Sequence, residues 1–379
     1  MSKKTGIIVF STAAAAVIIT AVTLLILNRD NIAKTSDQEL AELIQDMEQP
    51  TILDTSNVVA PGEISLDEID SDITLEDEGT YKFYGSLAHT IIVNGDGDAD
   101  IRIVLDDAEI VGDNTAAIVG LAGKSLTIAA TEGTENLLSD SGKSQYNGVV
   151  YSKIPVILSG NGEVKIAGAQ EHGKGIMTSK AGIRLESGSF TISAPSDGLS
   201  AAEGGTVEFA GGKNYIDVDG DGVKAKDDVI ISGGNTFILS GGTSIDAGYK
   251  VTGGILVATG NGTVNAPKGD STQKAVAVEY KEEFGKNTMM SLVKSDLSVD
   301  ASFTPARKFK NSIVTVPCMY GVYNFYTKGE VFGGSQSLGL GNPAEEIYGV
   351  YIGGSYKIGE TGKLVLDNID VGNANCVVD

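Results

Sequence analysis

The residues best suited to chemistry in this sequence are carboxylates between positions 217 and 228. Aspartates occupy the first, third, fifth and twelfth places of that stretch, and a glycine occupies the sixth. Ca2+ takes roughly six to eight oxygen ligands, and alternate residues of a tight, glycine-supported turn can direct their oxygens to one point. The pattern therefore predicts a Ca2+ site whose candidate ligands are Asp217, Asp219, Asp221, Asp227 and Asp228.

A second Asp-Gly pair, Asp197-Gly198, precedes the matching pair Asp221-Gly222 by one period of the repeat described below. If these pairs stack in neighbouring turns of the chain, their carboxylates come within about 5 Å, where mutual repulsion favours a bound cation or a raised pKa. This adds Asp197 to the candidate ligands. The alternative is that aspartate and glycine occur here because both suit exposed turns.

Lys224 and Lys226 follow Asp221 closely. In a Ca2+-assisted β-elimination, a lysine beside the metal abstracts the proton next to a uronate carboxylate, which would make the protein a pectate lyase. The alternative is an ion pair with Asp227 or Asp228 on a solvated face, the usual state of such charges. No G-x-S-x-G, H-E-x-x-H or phosphate-binding loop occurs, so no other catalytic residues are predicted.

These residues lie inside a repeat that must position them. Between 173 and 260 one phrase recurs, and its anchor positions Gly175, Gly198, Gly222 and Ser244 are 22 to 24 residues apart. Each unit alternates apolar and polar residues in short runs between glycine turns, which indicates strands and leaves no room for a helix. A period of this size with about three strands per unit predicts a parallel β-helix, an all-β solenoid whose coils stack on one another.

Positions 63–274 form the predicted β-helix, and 275–379 form a C-terminal antiparallel β domain that either covers the far end of the solenoid or stands as a separate sandwich. Alternation in its strands favours core positions over sugar-stacking positions for its aromatic residues, which are Tyr320, Tyr323, Phe325, Tyr326, Tyr348, Tyr351 and Tyr356. Cys318 and Cys376 are the only cysteines, and whether they pair is left open.

The N-terminal segment predicts a membrane anchor. Lys3 and Lys4 precede an uncharged run, Gly6 to Leu27, that is long enough to span a bilayer as a helix. The positive flank favours a cytoplasmic N-terminus with the bulk of the chain outside the cell. Positions 1–28 are thus a predicted signal anchor, with a cleaved signal peptide as the alternative, and 29–62 are a predicted stalk.

The net charge of -22 argues against nucleic acid and anionic membrane surfaces as partners of the main body. An acidic polymer could bind such a protein only through bridging cations or a local basic patch.

Several phrases resemble the bacterial cell-surface β-helix proteins of the carbohydrate-binding domain-containing family. They are GTENLLSDS (133–141), VVYSKIPVILSGNGEVKI (149–166), GKGIMTSKAGIRLESGSFTISA (173–194), DGDGVKAKDDVIISGGNTFILS (219–240) and ASFTPARKF (301–309). The resemblance implies a right-handed parallel β-helix that binds Ca2+ and attaches to plant cell-wall polysaccharide, cellulose and polygalacturonate, with coils similar to those of polysaccharide lyase family 9. The chain keeps the family's K-D-D only at Lys226-Asp227-Asp228, so a Ca2+ site is expected there and not in the two earlier coils.

The sequence thus predicts a membrane-anchored extracellular protein that uses Ca2+ to bind polysaccharide. A Ca2+-dependent pectate lyase with Lys224 or Lys226 as base is one alternative. A structural surface spacer is another.

Overall fold

The computed structural model describes residues 51–142, 144–171, 173–340, 348–359, 362–370 and 376–378, and every regular element in them is a strand. None of these residues forms a helix with the length and apolar character needed to cross a membrane. The anchor predicted for positions 1–28 lies outside the described residues, as does most of the predicted stalk at 29–62.

The first part of the chain is a run of short strands separated by turns. In chain order they are β1 (Val58–Val59), β2 (Gly62–Ser65), β3 (Ile73–Leu75), β4 (Gly79–Leu87), β5 (Ile91–Asn94), β6 (Asp100–Gly112), β7 (Ile118–Ala122), β8 (Ser125–Ala130), β9 (Glu135–Asp140), β10 (Gly148–Ser152), β11 (Val156–Gly160), β12 (Glu163–Ala167), β13 (Lys174–Thr178), β14 (Ile183–Leu185), β15 (Ser189–Ala194), β16 (Leu199–Ala201), β17 (Val207–Phe209), β18 (Lys213–Val218), β19 (Val223–Ile231), β20 (Asn235–Ser240), β21 (Ile245–Val251) and β22 (Ile255–Gly260).

These strands pair in parallel and stack into three columns that run along a solenoid. The first column is β1-β3-β5-β7-β10-β13-β16-β19-β21, the second is β2-β4-β6-β8-β11-β14-β17-β19-β21, and the third is β4-β6-β9-β12-β15-β18-β20-β22. Four strands (β4, β6, β19 and β21) turn a corner and contribute to two columns. The predicted parallel β-helix is confirmed, and the right-handed sense of its winding stays a prediction.

Side chains that point into the solenoid form stacks of like residues. In the third column Ile166, Ile192, Ile216 and Ile238 are paired in register and are all fully buried. Each such side chain contributes roughly 1.5–3 kcal/mol when it is removed from water. A coil alone would leave these side chains exposed above and below, so the stack of coils is the unit that folds.

The repeated glycines stand where the backbone of one coil meets the next. A Cβ atom at Gly198 would lie 2.5 Å from Ile216 Cγ2 and 2.6 Å from the carbonyl oxygen of Gly222. At Gly222 the same atom would lie 2.6 Å from the carbonyl oxygen of Ser244. Ser244 itself precedes β21, the last strand of the first column among the described residues. Packing between coils therefore explains the recurring glycine in these units, and serine takes its place where the column ends.

The second part of the chain continues the sheet with antiparallel strands. In chain order they are β23 (Val276–Phe284), β24 (Met290–Lys294), β25 (Val299–Thr304), β26 (Phe309–Thr315), β27 (Val322–Thr327), β28 (Glu330–Phe332), β29 (Ser335–Leu340), β30 (Tyr348–Ile352), β31 (Ser355–Lys357), β32 (Lys363–Asp370) and β33 (Cys376–Val378).

This C-terminal unit is joined to the solenoid in two ways. Strand β26 pairs antiparallel with β22 and with β23, which extends the third column. A second sheet, in the order β29-β30-β25-β24-β27-β32, contributes to a separate apolar core with outward-facing side chains of the third column, Tyr215, Phe237, Leu239 and Val257. The unit therefore combines both predicted arrangements, because it continues the end strand of the solenoid and forms a sandwich against one of its faces.

The late aromatic residues divide between core and surface. Tyr323, Phe325, Tyr326 and Tyr356 are buried, as the alternation predicts, whereas Tyr320 is 69% exposed. Cys318 is exposed. Its pairing with Cys376 stays open, because the side chain of Cys376 lies outside what the structure describes.

Replacing Gly198 by alanine should destabilise the solenoid, because the new Cβ would overlap the backbone of the next coil. We expect a loss of about 3 kcal/mol or more in the free energy of unfolding, measured by urea denaturation. Gly269→Ala is the matched control, since a Cβ there meets nothing within 4 Å. Equal stability of the two variants would contradict the packing role of the repeated glycine.

Candidate functional site

The structure brings two of the predicted metal ligands together. Asp197 and Asp221 lie at the corner that leads from the third column to the first, in neighbouring coils. The backbone N–H of Asp221 donates to Asp197 Oδ1 at 3.2 Å, and the N–H of Thr243 in the next coil donates to Asp221 Oδ1 at 2.8 Å. This ladder of aspartates caps the turns of successive coils.

Each of these carboxylates also faces a lysine. Asp197 is 7% exposed, and its Oδ2 lies 2.8 Å from Lys174 Nζ. Lys224 Nζ lies 3.2 Å from Asp221 Oδ2 and 2.6 Å from Oδ2 of Asp246. Because Lys224 lies between two carboxylates of neighbouring coils, it neutralises the repulsion that the stacking would otherwise create.

Asp217 and Asp219 are held by an arginine from the C-terminal unit. Arg307, in the turn between β25 and β26, pairs through Nε with Asp217 and places Nη1 2.7 Å from Asp219 Oδ1. A guanidinium presents its donors as a rigid fork, so one side chain can bind two carboxylates. Arg307 belongs to the phrase ASFTPARKF, but its partners lie about ninety positions earlier in the chain, and only the fold reveals the pair.

The remaining two aspartates lie at a different corner. The start of β19 pairs with β16 in the first column, and its end pairs with β17 in the second. Asp227 and Asp228 are at the bend between these segments, where Asp228 pairs with Lys268 and Asp227 is exposed. The aspartates of the acidic stretch are therefore divided between two corners of the solenoid.

In this arrangement the acidic residues do not fit a Ca2+ ion. Within the described part of the chain, no three His, Cys, Asp or Glu side chains are arranged to hold a metal. Ammonium or guanidinium groups contact Asp197, Asp217, Asp219, Asp221 and Asp228, which is where a cation would have to bind. Ca2+ binding thus stays a prediction from the sequence.

The two candidate base residues differ in their surroundings. The contact with Asp246 raises the pKa of the Lys224 ammonium above its ordinary value; burial opposes this shift, and the contact with Asp221 adds to it. A general base must be neutral before it can accept a proton, so Lys224 is poorly suited to that role at neutral pH. Lys226 is exposed on β19.

The structure adds a surface that the sequence patterns did not indicate. One outward-facing residue from each strand of the second column, from β4 onward, pairs in register with the next, and all are exposed or half-buried. We call these residues the second-column row. In order along the solenoid they are Thr80, Arg102, Thr127, Ile157, Arg184, Glu208, Ile230 and Lys250.

The faces of the other two columns are less open. The C-terminal unit covers the outward side of the third column at its far end. In the first column the outward-facing Thr74, Ile92 and Val119 are 0% exposed. The second-column row is therefore the continuous open strip on the described solenoid.

The row carries an excess of positive charge on a protein of net charge -22. Its charged members are Arg102, Arg184 and Lys250, against one carboxylate, Glu208. Three coils separate Arg102 from Arg184, and three separate Arg184 from Lys250, which is about 14 Å at 4.8 Å per coil. The cations are thus evenly spaced along a straight strip.

Two of these cations have partners that a ligand could replace. Arg184 Nε lies 2.9 Å from Glu186 Oε1, and its Nη1 also pairs with Glu208. Lys250 Nζ lies 2.7 Å from Asp270 Oδ2. Surface ion pairs of this kind contribute only about 0–1 kcal/mol, so exchanging them for another anion costs little.

Comparison with known proteins identifies the family. The family model described as carbohydrate-binding domain-containing protein matches residues 69–302, which is more than half of the chain. The chain belongs to this carbohydrate-binding family. The match covers all of the solenoid from β3 onward together with the second-column row, and it ends within β25.

A solved structure of a polysaccharide lyase-like protein from C. thermocellum, a gadolinium derivative, is 22% identical to this family member. The similarity covers 50% of this chain and 89% of that chain, with a TM-score of 0.42. No curated protein matches the chain. At such a low identity and TM-score, the likeness carries no argument about activity.

Arg307→Ala should expose a latent sensitivity to Ca2+. Losing the guanidinium leaves Asp217 and Asp219 without a cation, and we expect the free energy of unfolding to fall by about 1–2 kcal/mol. Relative to chelator, added Ca2+ should then raise the melting temperature of the variant and leave that of the wild type unchanged.

Lys308→Ala is the control for that experiment, since the Lys308–Glu283 pair beside Arg307 is largely exposed and its loss should have little effect. An equal Ca2+-dependent rise in the wild type and in Arg307→Ala would show that the ion binds without displacing Arg307, and would contradict our interpretation of the pairs.

Proposed function

We propose that the protein binds polysaccharide outside the cell, with the glycan chain lying along the second-column row. Membership of the carbohydrate-binding family supports the class of ligand. The row supports the place, because it is a straight, open strip on the order of 30 Å long, and only an extended polymer could use all of it. The uncharged run that follows Lys3 and Lys4 supports an anchored protein with this body on the outer side of the membrane.

Charge favours an acidic polysaccharide at this strip. Evenly spaced cations suit a polymer with a carboxylate on each unit, such as polygalacturonate, because several weak pairs on one rigid strip act together. If a ligand replaces the exposed ion-pair partners of Arg184 and Lys250, the cations of the row would let a strongly acidic protein bind an acidic chain without a bridging metal ion. Cellulose, the neutral alternative, would gain nothing from these cations.

Neither alternative function is favoured by an observation in the site. A lyase would need a neutral base beside a metal, whereas Lys224 is paired with two carboxylates. A purely structural spacer would need no open strip of cations on one face. Calcium bridging between the protein and a uronate remains a sequence-based prediction that the experiment below also tests.

Electrophoresis of the protein through native gels cast with polygalacturonate tests this proposal. We expect the wild type to be retarded in chelator as well as in Ca2+, because its own side chains supply the positive charge. Arg102→Ala should raise the apparent dissociation constant for polygalacturonate, obtained from the retardation, about threefold to tenfold. The reason is that a desolvated charged contact contributes about 1 kcal/mol to binding.

Lys165→Ala is the matched control, since Lys165 is an exposed cation on the third column and its loss changes the net charge by the same amount. Equal weakening in both variants would mean that net charge, and not the row, governs binding. Free migration of the wild type in every gel would exclude polygalacturonate as the ligand.

A further inference from the structure

Two strands of the C-terminal unit border one open groove with their edges. The groove has a volume of about 350 Å³ and is lined by residues 279–282 and Phe284 of β23 and by residues 363–366 of β32. Successive residues of a strand point to opposite faces of its sheet, so a run of consecutive residues lines a groove only where the edge of the strand faces it. The groove is therefore bounded by strand backbone on two sides.

Both of these edges lack a ladder partner in the described part of the chain. Strand β32 is the last of the six-stranded sheet and pairs with β27 on its other side. Strand β23 pairs with β26 along one edge, and β33 covers the opposite edge through 276–278. No described residue of β26 or β27 lines the groove, so the groove borders the unpaired edges. Backbone N–H and C=O groups on such edges are ready to pair with another strand.

Strand β33 shows that a strand fits between β23 and β32. It pairs in parallel with β23 and also contacts β32, so it lies between the two and fills one part of the gap. Val378, its last residue, pairs with Val278, and the groove begins at the next residue of β23. The groove is therefore the unfilled continuation of the space that β33 occupies.

The side chains around the groove favour a strand with one apolar face. Tyr280, Phe284 and Leu366 belong to the apolar core of the C-terminal unit or pack against it. Across the groove, Lys363 Nζ lies 3.8 Å from Glu282 Oε1, and these side chains are 73% and 70% exposed. An ion pair this exposed contributes little to stability, so a ligand can displace it. An entering strand would thus meet apolar residues on one side and exchangeable charges on the other.

We infer that this groove binds an extended peptide strand of a partner protein, which continues the line of β33 and pairs with both open edges. Backbone pairing supplies the affinity in this mode of recognition, and alternate apolar side chains that face the core supply the specificity. A strand is the ligand that can satisfy N–H and C=O groups on two facing edges at once. The inference does not depend on polysaccharide binding at the second-column row.

Fluorescence anisotropy of a labelled six-residue peptide of alternating valine and threonine, titrated with the full-length protein, tests the groove. We expect saturable binding by the wild type. The decisive comparison fills the groove with the protein's own chain: because β33 runs parallel to β23, five residues added after Asp379 would lie opposite 280–284. An added valine–threonine strand should weaken binding of the free peptide about tenfold or more. An added proline–threonine segment should not, since proline has no N–H to donate.

Leu364→Asp provides a test by point substitution. Leu364 lines the groove and is 45% exposed, so a carboxylate there should weaken peptide binding about tenfold without disturbing the core. Ile358→Asp is the matched control, since Ile358 is 44% exposed in the same unit and does not line the groove.

Absence of peptide binding by the wild type would overturn the inference. So would equal binding to the two extended proteins, or equal losses in Leu364→Asp and Ile358→Asp. A wild-type dimer that the peptide converts to a monomer in sedimentation would also overturn it, because the strand would then come from a second copy of this chain. Retardation by polygalacturonate should be the same for Leu364→Asp and the wild type, which separates this groove from the row.

Discussion

The stacking of coils at about 4.8 Å is the constraint on which the rest of this structure depends. Parallel hydrogen bonding between strands fixes that distance, and side chains at equivalent positions of successive coils therefore become neighbours. Inside the solenoid the result is continuous apolar stacks such as the one through Ile192 and Ile216. At one corner three successive coils have glycine (Gly175, Gly198 and Gly222), because a Cβ atom there would lie 2.6 Å from the carbonyl oxygen of the next coil.

On the outer surface the same spacing makes charge compensation obligatory. Acidic residues that recur with the period are brought close together, and like charges at that distance destabilise one another. In this chain lysine and arginine side chains compensate that charge: Lys174, Lys224 and Arg307 each contact one or two of the stacked aspartates. The corner that resembles a metal loop in sequence is in the structure a set of ion pairs, one of which ties the C-terminal unit to the solenoid.

Much of the fold could be predicted from the sequence, because the glycine period and the alternation are local signals. The chemistry could not be predicted as fully. The pairs of Arg307 join residues about ninety positions apart, and no local pattern reports them. The even spacing of Arg102, Arg184 and Lys250 is hidden in the sequence because the loops between their strands differ in length, and it emerges only from the register of the columns. Alternation correctly placed Tyr323 and Phe325 in the core, but Tyr320 precedes the strand and follows no alternation rule.

The most direct test of the account is to ask which face a bound polysaccharide covers. In a background of Cys318→Ser and Cys376→Ser, single cysteines would be placed by Thr127→Cys in the second-column row and by Thr191→Cys on the third column, where both native threonines are half-buried. The rate of labelling by a thiol reagent would then be measured with and without polygalacturonate. The account predicts slower labelling at position 127 and an unchanged rate at position 191; protection confined to position 191, or none at either, would contradict it.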